Sequence, residues 1–312
     1  MRILVTGAAG FIGYHLTKDL LEKNNVVVAL DNFSSGKKDK SWRDLVNKYG
    51  KQLEVIENDC IYCPLPKNVS QIYHLAATIG TKDIVGKPYW VLINNISMID
   101  NIINQFQDFH IKIVYASTVE AQMGLPNAPI PTPETAPVGW TEPFDTRWAY
   151  SISKFMGEEL LASFSRDSRF KYSIARLSGA YGPRMCQDYM VKSFIKKVLG
   201  SEKELEIHSA NDTRPLTYIS DVVSGLEALM DCEEADREIV NIGNTRKIRV
   251  WYVINYLADL VKCEAELVAH NSKYPEQRQS DITKAGKLLK WKPKVGIEEG
   301  LKLTLDWYQN NE

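Results

Sequence analysis

No apolar run in the 312 residues approaches the roughly 18 consecutive residues that a membrane-spanning helix needs. The opening "MRILVTGAAG" shows no basic segment followed by an apolar stretch and a cleavage site. A surplus of either charge is missing too. Lys and Arg number 38 against 39 Asp and Glu, a formal net charge of −1, so neither a nucleic-acid surface nor an acidic interaction tail is expected. Cysteine is scarce, and its five residues are an odd number, which speaks for reduced thiols over a disulfide framework. Cys60 and Cys63 form one C-x-x-C, but no second Cys or His pair at zinc-site spacing accompanies it. Buried or loop thiols are therefore expected, and no metal. Solenoid repeats and low-complexity tracts are absent. What these absences leave is a soluble, cytoplasmic protein with no membrane and no nucleic acid among its partners.

What is present is alternation. Short β-branched runs at 2–6, 25–30, 53–58, 71–76, 112–117 and 171–177 are separated by amphipathic stretches such as Phe11 to Glu22 and Tyr89 to Gln107. The pattern predicts an α/β fold with a doubly wound parallel sheet, helices on both faces. The stretch from Gly124 to Arg147, "GLPNAPIPTPETAPVGWTEPFDTR", is too long for a simple connector and is expected to be a lid or binding loop. After "YGPR" at 181–184 the alternation fades, which suggests a chain shuttling between the sheet domain and a smaller lobe.

"VTGAAGFIG" places Gly7, Gly10 and Gly13 after a strand and at the start of a helix. Glycines there allow a tight turn, close approach of the backbone to a pyrophosphate, and tight helix–strand packing, while the helix N-terminus attracts the anion. Asp31 ends the second strand, where a carboxylate accepts both ribose hydroxyls and repels a 2′-phosphate, favouring NAD over NADP; Lys37 and Lys38 nearby pull the other way. Further on, "WAYSISK" puts Tyr150 and Lys154 at i and i+4 on one helix face. A phenol normally titrates near pH 10, and a neighbouring ammonium is expected to lower that value and make Tyr150 a usable base.

Taken with "LDNFSSG", "HLAA", "YASTVE", "YGPRM", "TRPLTYISDVVSGL", "VNIGN" and "RQSDITKAGKLLKWKPKVGIEEGL", these motifs cover nearly the whole chain. The chain resembles the extended short-chain dehydrogenase/reductase family, in its sugar-nucleotide epimerase/dehydratase branch. The resemblance implies a Rossmann-type sheet and a smaller α/β substrate-binding lobe, NAD as cofactor and a nucleoside-diphosphate sugar as substrate. The NAD-binding domain would comprise 1–176 plus roughly 217–244, and the lobe roughly 177–216 and 245–312. A homodimer is expected through the helix bearing Tyr150 and the helix near 89–107.

By the same resemblance, Tyr150 would take the hydroxyl proton at C4 of the sugar, Lys154 would hold the nicotinamide ribose and Thr118 would hydrogen-bond the reacting oxygen. The cofactor would lie against Gly7, Gly10, Phe11, Ile12, Gly13, Asp31, Asn32, Asp59, Cys60, Leu75, Ala76, Ala77, Asn95, Tyr150 and Lys154. Asp59 matches a position that contacts adenine, with a turn cap as the plainer reading. Asn95 matches a helix asparagine supporting the proton relay, with an ordinary polar helix position as its alternative. Thr118, Gly179, Arg184, Val191, Arg214 and Arg278 are the expected substrate contacts; Arg214 and Arg278 would grip the diphosphate, as a guanidinium fork suits, and Arg184 could instead partner its own loop.

The residues after Thr118 bear on the second step. Dehydratases of the 4,6 type carry Asp-Glu there, because elimination needs an acid and a base; here Val119-Glu120 leaves only the base. UDP-glucuronate decarboxylases carry Ser-Glu, but this chain reads "ATIGTKD" where they have a proline-rich segment. Epimerases tolerate a small apolar residue at 119. The family's asparagine two residues before the tyrosine of "YGPR" is Gly179 here, and "AQMG" (121–124) replaces "VYG". The expectation is C4 oxidation followed by epimerisation, with decarboxylation, dehydration or release of a keto sugar as alternatives, Glu120 as a further catalytic candidate, and a catalytically silent nucleotide-binding member as a rival of another class.

Overall fold

The computed structural model describes residues 1–122, 128–140, 145–166, 168–185, 189–200, 203–271 and 276–311. Its main sheet has seven strands: β1 (Arg2–Thr6), β2 (Val26–Asp31), β3 (Leu53–Glu57), β4 (Gln71–His74), β5 (Lys112–Thr118), β6 (Lys171–Leu177) and β7 (Glu238–Ile242). All pairings are parallel, in the order β7-β6-β5-β4-β1-β2-β3. The order reverses between β1 and β4. A crevice opens outside the carboxyl ends of the strands at such a switch point.

The helices are α1 (Phe11–Glu22), α2 (Lys40–Tyr49), α3 (Thr81–Gly86), α4 (Pro88–Phe106), α5 (Ala149–Phe164), α6 (Met190–Leu199), α7 (Ile219–Asp231), α8 (Val250–Val261), α9 (Thr283–Leu288) and α10 (Ile297–Asn311). Strand side chains alternate between faces, and β1 shows what that does here. Ile3 and Val5 pack with Leu16 and Leu20 of α1 and with Val222 and Leu226 of α7. Leu4 instead joins Ile99 and Ile103 of α4 and Leu161 of α5. A sheet buried on both faces needs continuous β-branched runs, which is why the strands were legible. Among the described residues no helix is long and apolar enough to cross a membrane.

A third apolar cluster lies outside the sheet, where Phe194 and Ile195 of α6 meet Val253 and Leu257 of α8 and Leu301 and Leu305 of α10. Three short strand pairs accompany it: Ala180–Tyr181 with Thr217–Tyr218, Thr213–Arg214 with Ile248–Arg249, and Glu204–His208 with Glu266–His270. Boundaries differ from the sequence expectation where a residue leaves the ladder for the crevice. Leu75 and Ala76, read as strand, turn away after β4 and donate to the carbonyl and hydroxyl of Thr6. Thr118 is conversely still in register, opposite Leu177.

The long 124–147 stretch falls partly outside the described residues, at 124–127 and 141–144. Its middle is strapped to the sheet. Thr132 exchanges backbone hydrogen bonds with Gln279 and Asp281, and Asn241 of β7 donates its side-chain amide to the carbonyls of Thr132 and Asp281. Beneath it lies a buried ion pair: Arg176 of β6 donates to both carboxylate oxygens of Glu158 of α5, at 2.9 and 2.6 Å. The same carboxylate accepts from Ser117 of β5, and Arg176 also donates to the Glu134 carbonyl of the strap.

Both side chains of the pair are 3% exposed. Removing one partner of such a pair strands a buried charge, whereas replacing both by apolar groups is close to neutral. Arg176→Met should therefore lower the unfolding free energy by about 3–5 kcal/mol in urea denaturation, and adding Glu158→Leu should restore most of it. A single variant as stable as the wild type would mean that the pair does not hold these elements together.

Candidate active site

A cleft of about 520 Å³ opens at the switch point. At one end is the β1–α1 turn. Gly7 has φ +70°, and a Cβ there would come within 2.8 Å of the Ala76 backbone; one on Gly13 would sit 2.0 Å from the Gly7 carbonyl. Only glycine permits both the turn and this packing. Gly10 caps α1 without a side-chain bond, so the first-turn amides of Phe11, Ile12 and Gly13 are available to an anion in the cleft they line. Asp31 accepts from the amides of Ala9 (2.9 Å) and Phe33 (2.7 Å). Burial pushes its carboxyl up, opposed by those amides. The turn thus has the form of a dinucleotide cradle, and NAD fits it: amides for a pyrophosphate, a carboxylate for the ribose hydroxyls. Lys38, one of the two lysines that kept NADP in view, is paired with Glu57 at 2.6 Å and lies over the Phe33 ring.

The wall continues through Asn32, Cys60, Leu75, Ala76 and Ala77 to Thr118, Tyr150 and Lys154. Thr118 reaches it as the last residue of β5, and its hydroxyl accepts from the Glu120 amide at 3.2 Å. Tyr150 and Lys154 come from the first two turns of α5. Gly157 lets that helix lie against β5, because a Cβ there would be 2.3 Å from the Tyr115 hydroxyl. Lys154 is 3% exposed, with its ammonium 4.8 Å from the centre of the Tyr115 ring and 5.9 Å from that of Tyr150.

The electrostatics run opposite to the expectation that Lys154 lowers the Tyr150 pKa. Burial pushes the Tyr150 phenol well up, with Tyr189, Tyr115 and Glu120 adding to the rise. Burial also brings Lys154 down to about 7, with the Glu158 carboxylate pulling the other way. Desolvation disfavours both charged forms, phenolate and ammonium, and is the largest cause of each shift.

The rim carries an alternating chain of charges. Arg278 donates to Glu120 (2.9 Å) and meets Glu276 (3.0 Å); Arg214 meets the same Glu276 oxygen (3.3 Å) and Asp212 (3.1 Å). Glu120, Arg214, Arg278, Gly179 and Val191 all line the cleft. Gly179 cannot carry the family's asparagine side chain, since a Cβ would lie 2.6 Å from the Pro215 carbonyl.

Three candidates lie elsewhere. Arg184, 4% exposed, does not line the cleft; it pairs with Asp39 at 2.9 and 3.1 Å, donates to the Lys37 carbonyl and covers the Tyr14 ring at 3.8 Å, the loop-partner alternative. Asp59 caps its own turn, accepting from the Ile61 amide, while its neighbours Asn58 and Cys60 form the wall. Asn95 holds the loop after β4 to α5, accepting from the Thr78 amide and donating to Ser153, which in turn donates to the Tyr150 carbonyl. Of the cysteines, Cys60 and Cys63 are free and buried, and burial pushes Cys60 up to about 12, so the C-x-x-C is packing.

Sequence reading missed Tyr189, Met190 and Ser178 in the wall and the Glu158–Arg176 pair beneath it. Two signals pointed to that pair: Glu158 continues the four-residue spacing of Tyr150 and Lys154, and Arg176 is the lone charge inside the apolar part of "KYSIARL".

The NAD dependent epimerase/dehydratase family model matches residues 3–243, and the chain belongs to that family. It is 34% identical to UDP-glucuronic acid decarboxylase 6 of Arabidopsis thaliana over 97% of this chain and 87% of that protein. It is 30% identical to a putative UDP-glucose 4-epimerase of Methanocaldococcus jannaschii over 99% of both. Among solved structures, the UDP-glucose 4-epimerase of Thermotoga maritima with UDP-glucose superposes with a TM-score of 0.83 at 27% identity, covering 99% of both chains. The family and the Rossmann-type fold are those read from the sequence.

Lys154 sets a pH-dependent stability. Below pH 7 it is protonated folded and unfolded, and the cost of burying its charge is fully present. Between pH 7 and its unfolded value near 10.5 only the unfolded chain keeps the proton, so stability rises with pH across that window. Lys154→Met should thus stabilise the fold at pH 6 by about 2–5 kcal/mol, an advantage that shrinks toward pH 10. A variant less stable than wild type at pH 6 in chemical denaturation would show that the buried ammonium is not costly.

Proposed function

We propose that the chain oxidises the C4 hydroxyl of a UDP-hexose and returns the hydride to the opposite face, a 4-epimerisation. The observation that carries this reading is the meeting of Thr118, Tyr150 and Lys154 in one cleft with a dinucleotide cradle at one end and two arginines at the other. UDP is the nucleotide named in the relatives described above. Residues 1–176 with roughly 217–244 would hold NAD, and roughly 177–216 with 245–312 the sugar nucleotide.

NAD, when bound, supplies the hydride acceptor. Tyr150, held neutral by burial, takes the hydroxyl proton as its own phenolic proton passes to the neutral amine of Lys154, and Thr118 fixes the reacting oxygen. Lys154, titrating near 7, can give or take a proton at neutral pH and stands between Tyr150 and Glu158. The Asn95–Ser153 link sets the first turn of α5, so Tyr150 is oriented before substrate arrives. On the rim, three acids (Asp212, Glu276, Glu120) surround two arginines (Arg214, Arg278). A C6 carboxylate would have to compete with Glu120 for Arg278, which favours a neutral hexose. One observation supports decarboxylation of UDP-glucuronate as a second reading: Glu120 follows Thr118 by two residues, beside the reacting centre, in a chain 34% identical to a UDP-glucuronic acid decarboxylase.

Mass spectrometry and NMR of products from UDP-glucose and UDP-glucuronate separate these readings. An unchanged mass with inverted C4 supports epimerisation, loss of carbon dioxide the second reading, and no product from either would overturn both. Tyr150→Phe should lower turnover by about 10²–10⁴-fold while UDP still binds.

A homodimer belongs to the same proposal. Tyr89, Trp90 and Ile93 of α4 and Met156 of α5 are exposed between 39% and 64%, and Val85 of α3 is 65% exposed. Trp90→Arg should convert the dimer to a monomer in light scattering; a wild-type monomer would refute the assignment. The free thiols at Cys60, Cys63, Cys232 and Cys263 suit a cytoplasmic site of action.

A further inference from the structure

The rim arginines are already occupied by a carboxylate that the reaction does not use. The Glu276 Oε2 lies 3.3 Å from the Arg214 Nη2 and 3.0 Å from the Arg278 Nη2. One oxygen accepting from two guanidinium groups is the contact a phosphate oxygen makes with an arginine pair. Both arginines line the cleft, while Glu276 is not part of its wall and its side chain is 49% exposed. Its backbone, by contrast, is fixed: the Glu276 amide donates to Asp212 and its carbonyl accepts from the Thr213 amide. The side chain is therefore free to swing on an anchored residue.

Displacing either of the other two acids would free only one arginine. Asp212, whose side chain is 5% exposed, holds Arg214 and the Glu276 amide together. Glu120, 43% exposed, lines the cleft and holds Arg278 alone. With three acids and two arginines the group carries a net charge of −1, and a diphosphate would add two more negative charges within a few ångströms. Like charges so close repel strongly, so an acid must be displaced when the diphosphate enters. Glu276 is the acid that bridges both arginines and lies outside the cleft wall, so its departure frees the pair at once.

We propose that Glu276 is a resident anion: it occupies the Arg214–Arg278 pair, and a nucleoside diphosphate binds by exchanging with it, so that Glu276 weakens and thereby sets the affinity of the site. This rests on the reading of the cleft as a nucleoside-diphosphate sugar site.

The test is calorimetric titration of the full chain, wild type and Glu276→Gln, with UDP, inorganic pyrophosphate and uridine. Glu276→Gln should tighten UDP and pyrophosphate by about fivefold, the equivalent of about 1 kcal/mol, which is the upper range of a half-exposed ion pair. Uridine, which has no phosphate, should bind both proteins alike. Unchanged UDP and pyrophosphate affinity would overturn the exchange, and so would weaker binding, which would make Glu276 a positioning residue that orients the arginines. UDP failing to bind the wild type at all would instead sink the underlying reading of the cleft and the exchange with it. Glu276→Ala, giving the same change as Glu276→Gln, would show that loss of charge and not a new amide contact is responsible.

Discussion

The buried pair of Arg176 and Glu158 is the constraint on which the site depends. Four separate pieces of chain meet at it: β6 through Arg176, α5 through Glu158, β5 through Ser117, and the strap through the Glu134 carbonyl. Glu158 sits one helical turn beyond Lys154 and two beyond Tyr150, and Ser117 immediately precedes Thr118. Fixing one carboxylate therefore fixes the helix carrying two of the reacting groups relative to the strand carrying the third. A buried ion pair is a poor source of net stability, but its geometry is demanding, and here the geometry is what the chemistry uses. The strap gains its place from the same point, since Glu134 also accepts from the Asn241 amide of β7.

Electrostatically the cleft has two unlike ends. At the reacting end, burial holds Tyr150 neutral and leaves Lys154 near 7, so little formal charge stands where the sugar hydroxyl would lie. At the rim, charge is dense, with three acids bound to two arginines. A neutral interior lets small proton movements carry large energies, because charges there are poorly screened. A rim whose arginines are already paired makes binding an exchange of partners for them. These two properties explain why the residues of the site cannot be treated as independent.

Most of the sheet was legible because a strand buried on both faces has to be a short, largely apolar run bounded by turn residues, and "RILVT" and "VVVALD" are such runs. The nucleotide turn was legible for a related reason: Gly7 and Gly13 have no room for a Cβ, so the spacing itself records the packing. Arg184 was not, because an arginine after "YGP" looks the same whether it faces a ligand or, as here, Asp39 and Tyr14. The direction of the Tyr150 shift was also hidden, since i,i+4 spacing reports proximity but not the desolvation that decides the sign. Glu276 could not be singled out at all: its meaning lies in reaching Arg214, 62 residues earlier in the chain.

The question left by "VYASTVE" is what Glu120 does, and the charge chain gives it a conditional answer. Glu120 is held by Arg278, and Arg278 by Glu276. A ligand anion arriving at the arginines alters both links, because a guanidinium that turns to a phosphate loosens its hold on at least one carboxylate. If the link that breaks is Arg278–Glu276, Glu120 stays tethered beside Thr118 and serves as a fixed negative charge, compatible with a hydride that simply returns. If the link that breaks is Arg278–Glu120, a carboxylate is released next to the oxidised carbon, free to move a proton at the neighbouring position. Exposure does not separate them, since the side chains of Glu276 and Glu120 are 49% and 43% exposed and both backbones are anchored. The partners do: Glu276 bridges both arginines whereas Glu120 holds Arg278 alone, so under the proposed exchange a diphosphate that takes the arginine pair displaces Glu276, and Glu120 would stay as the tether of Arg278.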